Sequence, residues 1–167
     1  MSYLTQHLQP GDGVELHAPD ATLTAKVDAE HTDGTYELFE VDAVRDDPTP
    51  LHRTGWAKTY YVLQGRILVQ VDDEGFDLGP GSSIAIPPNA PHTFTVLTPS
   101  AKFLVFSMGS GMGRFHADMS STVPQGHPME EVLEQIQQVL SRHDVTVEGM
   151  GTPSEAPSGA SRLGASQ

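Results

Sequence analysis

A chain of 167 residues with no cysteine has room for one domain that buries its own core, and disulfides, thiolate metal centres and cysteine nucleophiles are excluded. Its formal net charge of −13 excludes nucleic acid and anionic membrane surfaces as partners, because both are engaged through clustered Lys and Arg. Met1 to Gly13 shows neither a basic start nor an apolar run, and no later stretch is long enough to span a bilayer, so a cytoplasmic protein is expected.

In chain order, residues 1–13 read as an arm and residues 14–110 as an all-β body of short apolar runs punctuated by Gly, Pro, Asp and Asn. Strands are predicted at Thr22 to Val27, Thr35 to Val41, Thr59 to Leu63, Ile67 to Val71, Ser83 to Ile86, His92 to Val96 and Lys102 to Met108. Asp72-Asp73-Glu74-Gly75 reads as a hairpin turn, and Leu78-Gly79-Pro80-Gly81 as a second reversal. Residues 111–149 are expected to hold a crossing loop, one helix and a short extended segment at Asp144 to Val147. Gly109-Ser110-Gly111-Met112-Gly113 fits neither dinucleotide nor Walker spacing and reads as a flexible crossing that could cover a barrel mouth. The helix, Pro128 to Ser141, places Met129, Val132, Leu133, Ile136, Val139 and Leu140 on one stripe. The tail over 150–167, rich in Ser, Pro, Gly and Ala, has little to bury and is expected to be disordered.

Two segments carry the chemistry. One runs from Pro50-Leu51-His52-Arg53-Thr54 through Trp56, Lys58 and Tyr60-Tyr61-Val62-Leu63 to Gly65. The other is Gly81-Ser82-Ser83-Ile84-Ala85-Ile86-Pro87-Pro88-Asn89-Ala90-Pro91-His92. Together with Thr32 to Glu40 and Gly113-Arg114-Phe115-His116, they resemble the small single-domain quercetin-dioxygenase-like members of the cupin superfamily. The resemblance implies a jelly-roll β-barrel with a C-terminal α-helix, a homodimer, and a pocket that metal-binding members build from His-x-His, a Glu and a second-motif His.

At those four positions this chain has His52, Thr54, Lys58 and His92. Two imidazoles are too few for a tight divalent site, and an ammonium has no lone pair to offer. No cofactor is therefore expected. The alternative is a divalent transition metal (Fe, Ni, Mn, Cu or Zn) on His52 and His92, with His116 as a replacement ligand. Without metal, Lys58 can clamp an anionic oxygen while His52 or His92 moves a proton. Thr54, Trp56, Tyr60, Phe94 and Tyr36 are the candidate pocket residues.

The leading expectation is a barrel that binds, or isomerises by acid/base chemistry, a small aromatic or oxygen-rich organic molecule. Two alternatives stand beside it: a metal-dependent quercetin-type dioxygenase with remodelled ligands, and a non-catalytic dimeric scaffold. His7, His17, His31, His127 and His143 show no ligand spacing and are expected on the surface.

Overall fold

Alternate residues of a strand face opposite sides of a sheet, and the two longest strands show this parity over nine residues each. In β3 (Tyr36–Val44) residues Glu37, Phe39, Val41 and Ala43 point inward, and in β10 (Ser100–Met108) residues Ala101, Phe103, Val105 and Ser107 do. The antiparallel register sets Phe103 beside Val41 and Val105 beside Phe39, so one buried face runs across both strands. The computed structural model describes residues 2–18, 21–48 and 50–149; the predicted tail over 150–167 lies outside the described residues.

The other strands are β1 (Val14–Ala18), β2 (Ala21–Val27), β4 (His52–Thr54), β5 (Lys58–Gln64), β6 (Ile67–Val71), β7 (Glu74–Leu78), β8 (Ser83–Ile86), β9 (His92–Val96) and β11 (Val145–Val147). One sheet has the order β1-β2-β3-β10-β5-β8 and the other β11-β4-β9-β6-β7. All their pairings are antiparallel, and the inner faces meet in a core that includes Phe39, Val62, Ile67, Val69 and Phe103. This is the predicted all-β jelly roll. The seven predicted strands are present, and β1, β4 and β7 are additional to them. Val71 pairs with Glu74, so the hairpin reverses at Asp72-Asp73, with Asp72 at φ 54°, and Gly75 already belongs to β7.

The helical region departs most from the sequence reading. The crossing expected to be a loop is a helix, α1 (Gly111–Thr122), which buries Met112, Phe115 and Met119. Two glycines of the Gly-rich stretch allow its first turn to lie directly on the barrel. A Cβ on Gly111 would fall 2.7 Å from the Trp56 ring, and one on Gly113 would fall 2.2 Å from the Glu37 carboxylate. The backbone N–H of Gly113 donates to Glu37 Oε1 at 3.0 Å.

The predicted helix over Pro128 to Ser141 is broken in two. A 3₁₀ turn at Met129–Glu131 precedes α2 (Leu133–Ser141), with Val132 at φ −117°, ψ 17° between them. That break turns Val132 into the interior with Ile136, Val139 and Leu140, while Met129 and Leu133 remain partly exposed. Asp118 of α1 ties the pair together. It accepts from Arg142 Nε and Nη2 at 2.9 Å each and lies 2.8 Å from His143 Nε2, and these bonds hold its carboxyl far below the usual carboxylate range.

In an open helix, replacing Gly by Ala stabilises by about 1 kcal/mol. Gly111→Ala is expected to do the opposite, because the new methyl must displace the Trp56 indole. A lower thermal midpoint than wild type supports this packing, and an unchanged or higher midpoint contradicts it.

Candidate functional site

At one end of the large sheet the inward-facing row turns polar. Register places Ser107 beside Glu37 on one side and beside Lys58 on the other, and all three are buried. The apolar core ends there, and a cavity of about 160 Å³ opens. Its barrel side includes His52, Thr54, Lys58, Tyr60, Phe94 and Phe103. Its cover includes Met112, Phe115, His116 and Met119 of α1, a stretch expected to be a loop, and Val145 and Val147 of β11, which is the extended segment expected at Asp144 to Val147. The cover residues of α1 had a signal, since Met112, Phe115 and Met119 recur at three- and four-residue spacing.

Each polar side chain is placed by a short strand or a helix turn. Three residues of β4 are held between β9 and β11, with His52 opposite His92 on one side and Val147 on the other. The His52 and His92 rings lie 4.3 Å apart, tilted by 49°. Lys58 starts β5; it is 6% exposed, and its Nζ lies 5.8 Å from the centre of the Tyr60 ring. Tyr60 and Phe94 each contact Phe103 at 5.2 Å between ring centres, which makes an aromatic floor.

The sequence-predicted residues separate here. His52, Thr54, Trp56, Lys58, Tyr60, Phe94 and His116 line the cavity together. His92 does not: it is fully buried beside His52 on the neighbouring strand, where its Nδ1–H donates to the Ala90 carbonyl at 2.8 Å. The remaining nitrogen, Nε2, is sealed from solvent and has no hydrogen-bond partner among the described residues. Tyr36 is also outside the cavity. It has the outward parity of β3, opposite to Glu37 and Phe39, and is 37% exposed. Thr54 is occupied locally, its hydroxyl donating to the Trp56 carbonyl at 3.2 Å.

Burial and one cation set the electrostatics. Burial first, and the Lys58 charge second, push His92 down to about 4 and His116 down to about 3. The same two causes, in the same order, hold His52 well below the usual imidazole range. At neutral pH all three imidazoles are therefore neutral. His52 also makes a hydrogen bond to the backbone of Pro50, which has only a carbonyl to offer, so one ring nitrogen carries the proton and the other keeps its lone pair. The Nδ1 of His116 is sealed and has no hydrogen-bond partner among the described residues.

A divalent metal, which the resemblance implies, needs three or four nitrogen or carboxylate donors. Here the position of the second histidine holds the Thr54 hydroxyl, already donating to a carbonyl, and that of the glutamate holds Lys58, an amine whose charge depresses its neighbours. Among the described residues no three His, Cys, Asp or Glu side chains form a group that could hold an ion. The donor set does not fit the metal.

No curated protein matches the sequence. Residues 38–107 match the family described as Cupin domain. Among solved structures, the polyketide cyclase RemF from Streptomyces resistomycificus is similar at 25% identity, over 63% of this chain and 80% of that one, with a TM-score of 0.54. KdgF from Halomonas sp. is 16% identical over 65% of this chain and 94% of its own, with a TM-score of 0.54. An RmlC-like cupin from Shewanella frigidimarina is 16% identical over 66% and 96%, also with a TM-score of 0.54; these last two show the fold alone. The matched segment runs from β3 to β10 and carries His52, Lys58 and His92 on their strands, whereas His116 and the helical cover lie beyond it. Residues 38–107 therefore form a cupin domain, set in a jelly roll of the cupin kind.

Proposed function

We propose that the barrel binds a small, largely apolar organic molecule bearing a carbonyl or anionic oxygen, and that it moves a proton on that molecule without a metal. One observation carries the reading: a buried lysine and two neutral imidazoles, His52 and His116, meet in the wall of an otherwise mainly apolar cavity. In such surroundings an ammonium is a strong donor to a ligand oxygen, because little water competes for it. The likeness to a structure named as a polyketide cyclase supports a carbonyl-bearing, oxygen-rich ligand.

The chemistry that follows is enolisation. A Lys58 N–H donates to the carbonyl oxygen, and the unprotonated nitrogen of His52 removes a proton from the adjacent carbon. The C–H electron pair becomes the new C=C bond, and the oxygen takes up the negative charge that Lys58 stabilises. Where the ligand carries a β,γ double bond the anion is a dienolate, and returning the proton from His52 to the γ carbon moves the double bond into conjugation and completes an isomerisation. The developing anion also offsets the Lys58 charge that depresses the imidazoles, so His52 gains basicity as the proton moves. His92 packs beside the His52 ring, and Trp56, Tyr60 and Phe94 supply the apolar walls.

Two simple probes test this. Benzoate is expected to bind at pH 7 by calorimetry, at least tenfold more weakly to Lys58→Met than to wild type. The α-protons of 2-tetralone in D₂O, followed by proton NMR, are expected to exchange faster with wild type than with His52→Gln or Lys58→Met. Equal behaviour of wild type and both variants in the two assays would remove the cavity residues from any such function.

The neutral imidazoles also set a pH dependence of stability. A histidine whose folded pKa is depressed binds fewer protons than in the unfolded chain, so its contribution is complete above about 6.5 and is lost as pH falls. For His92, with a folded value of about 4, the loss runs between those two pH values. By linkage it amounts to about 2 kcal/mol between pH 7 and pH 5. Denaturant titration should show wild type losing that much more stability than His92→Gln over the interval. Parallel pH profiles would mean that His92 titrates normally in the folded protein.

A further inference from the structure

The cavity around Lys58 has a larger neighbour. A second cavity, of about 450 Å³, lies beside the connection from α1 to the 3₁₀ turn, where His17, Val123, Gln125 and His127 form part of its lining. Four residues line both cavities: Ala18, Met119, Met129 and Ile136. The partition between them is thus one methyl group, one isoleucine and two methionines. Methionine is unbranched with three rotatable bonds and repacks readily, so this wall is built from side chains suited to moving aside. Met129 is the more mobile of the pair by position, being 37% exposed at the first residue of the 3₁₀ turn, whereas Met119 is 7% exposed in α1.

Size gives the partition a consequence. A protein cavity of about 150 Å³ holds benzene, so the inner chamber of about 160 Å³ has room for roughly one ring. A longer molecule that places its oxygen at Lys58 and its far end in the outer chamber would pass the methionines. The two ends also differ in chemistry. The inner chamber offers a cation and hydrogen-bond acceptors, and the outer one offers the amide of Gln125 and the imidazoles of His17 and His127. His127 is already oriented, its Nδ1 3.3 Å from Glu131 Oε1.

We propose that the two cavities are two halves of one ligand site, which takes an elongated molecule of two or more rings. Its carbonyl or anionic oxygen sits at Lys58, its apolar middle passes between Met119 and Met129, and its polar far end lies against Gln125 and His127. This assignment rests on the Lys58 reading above and extends it to a substrate class. His17 and His127, scattered in the sequence, then belong to the outer end of that site.

The test is the ratio of affinities for biphenyl-4-carboxylate and benzoate, measured by calorimetry on the full chain at pH 7. Wild type is expected to prefer the longer probe at least tenfold, and Met129→Trp, which fills the passage from a partly exposed position, to reduce that preference below threefold. A thermal midpoint near wild type checks that the variant is folded, and Gln125→Trp, at an exposed position on the outer chamber, supplies a second block with the same expected loss of preference. If benzoate binds in a Lys58-dependent way but the longer probe has no advantage, or keeps its advantage in both tryptophan variants, the two-chamber site is wrong and the Lys58 reading stands. If neither probe binds wild type, both fall.

Discussion

Everything at the site follows from placing one lysine side chain inside a β-barrel. Lys58 is 6% exposed and opens the strand that also supplies Tyr60 and Val62 to the interior. A buried charge costs several kcal/mol of lost hydration, and a fold keeps it only where the surroundings repay that cost or a ligand uses it. Here its field reaches His52, His92 and His116 and helps to keep all three neutral. A divalent cation at the same place would need those imidazoles as ligands and would be repelled by the ammonium. On the function proposed above, Lys58 supplies the positive charge that stabilises an anionic ligand oxygen.

The cover decides what can reach that charge. The helical segment laid over the barrel end is held by Asp118, which joins Arg142 and His143 to α1, and by the close fit of Gly111 and Gly113 on Trp56 and Glu37. Its buried side chains form a second apolar cluster, with Phe115, Met119, Ile136, Val139 and Val145 among its members. The cover is thus a packed layer with its own core, and its weak points are the methionines it shares with the cavities on either side. The close glycine contacts lie at the N-terminal end of α1 and the adaptable Met119 towards its C-terminal end, the division on which the proposed two-chamber site relies.

Much of the barrel was legible because strand periodicity is a strong signal. Phe39 and Val41 in β3, and Phe103 and Val105 in β10, alternate with more exposed residues and so declare which face is buried. The same parity excludes Tyr36 from the interior, although its aromatic character had suggested a pocket residue. Strands of three residues, such as β4 and β11, are too short to show any period, yet β4 is what carries His52. The α1 helix was hidden by Gly111, Gly113 and a Ser-Ser-Thr end, which have low helix propensity; packing against Trp56 and the second core overrides that preference. The depth of His92 was not readable either. Motif spacing brought it to His52, and the pairing of β4 with β9 sets the two side by side, but spacing does not reveal that its side chain is fully enclosed and outside the cavity lining.

The most direct test of the account is the protonation of the three buried histidines, read by ¹⁵N NMR of histidine-labelled protein as a function of pH, in wild type and in Lys58→Met. The account requires His52, His92 and His116 to be neutral at pH 6 in wild type, and the titration of His92 and His116 to move to higher pH once the lysine charge is removed. Midpoints near 6.5 in wild type, or midpoints that do not respond to the loss of Lys58, would contradict it.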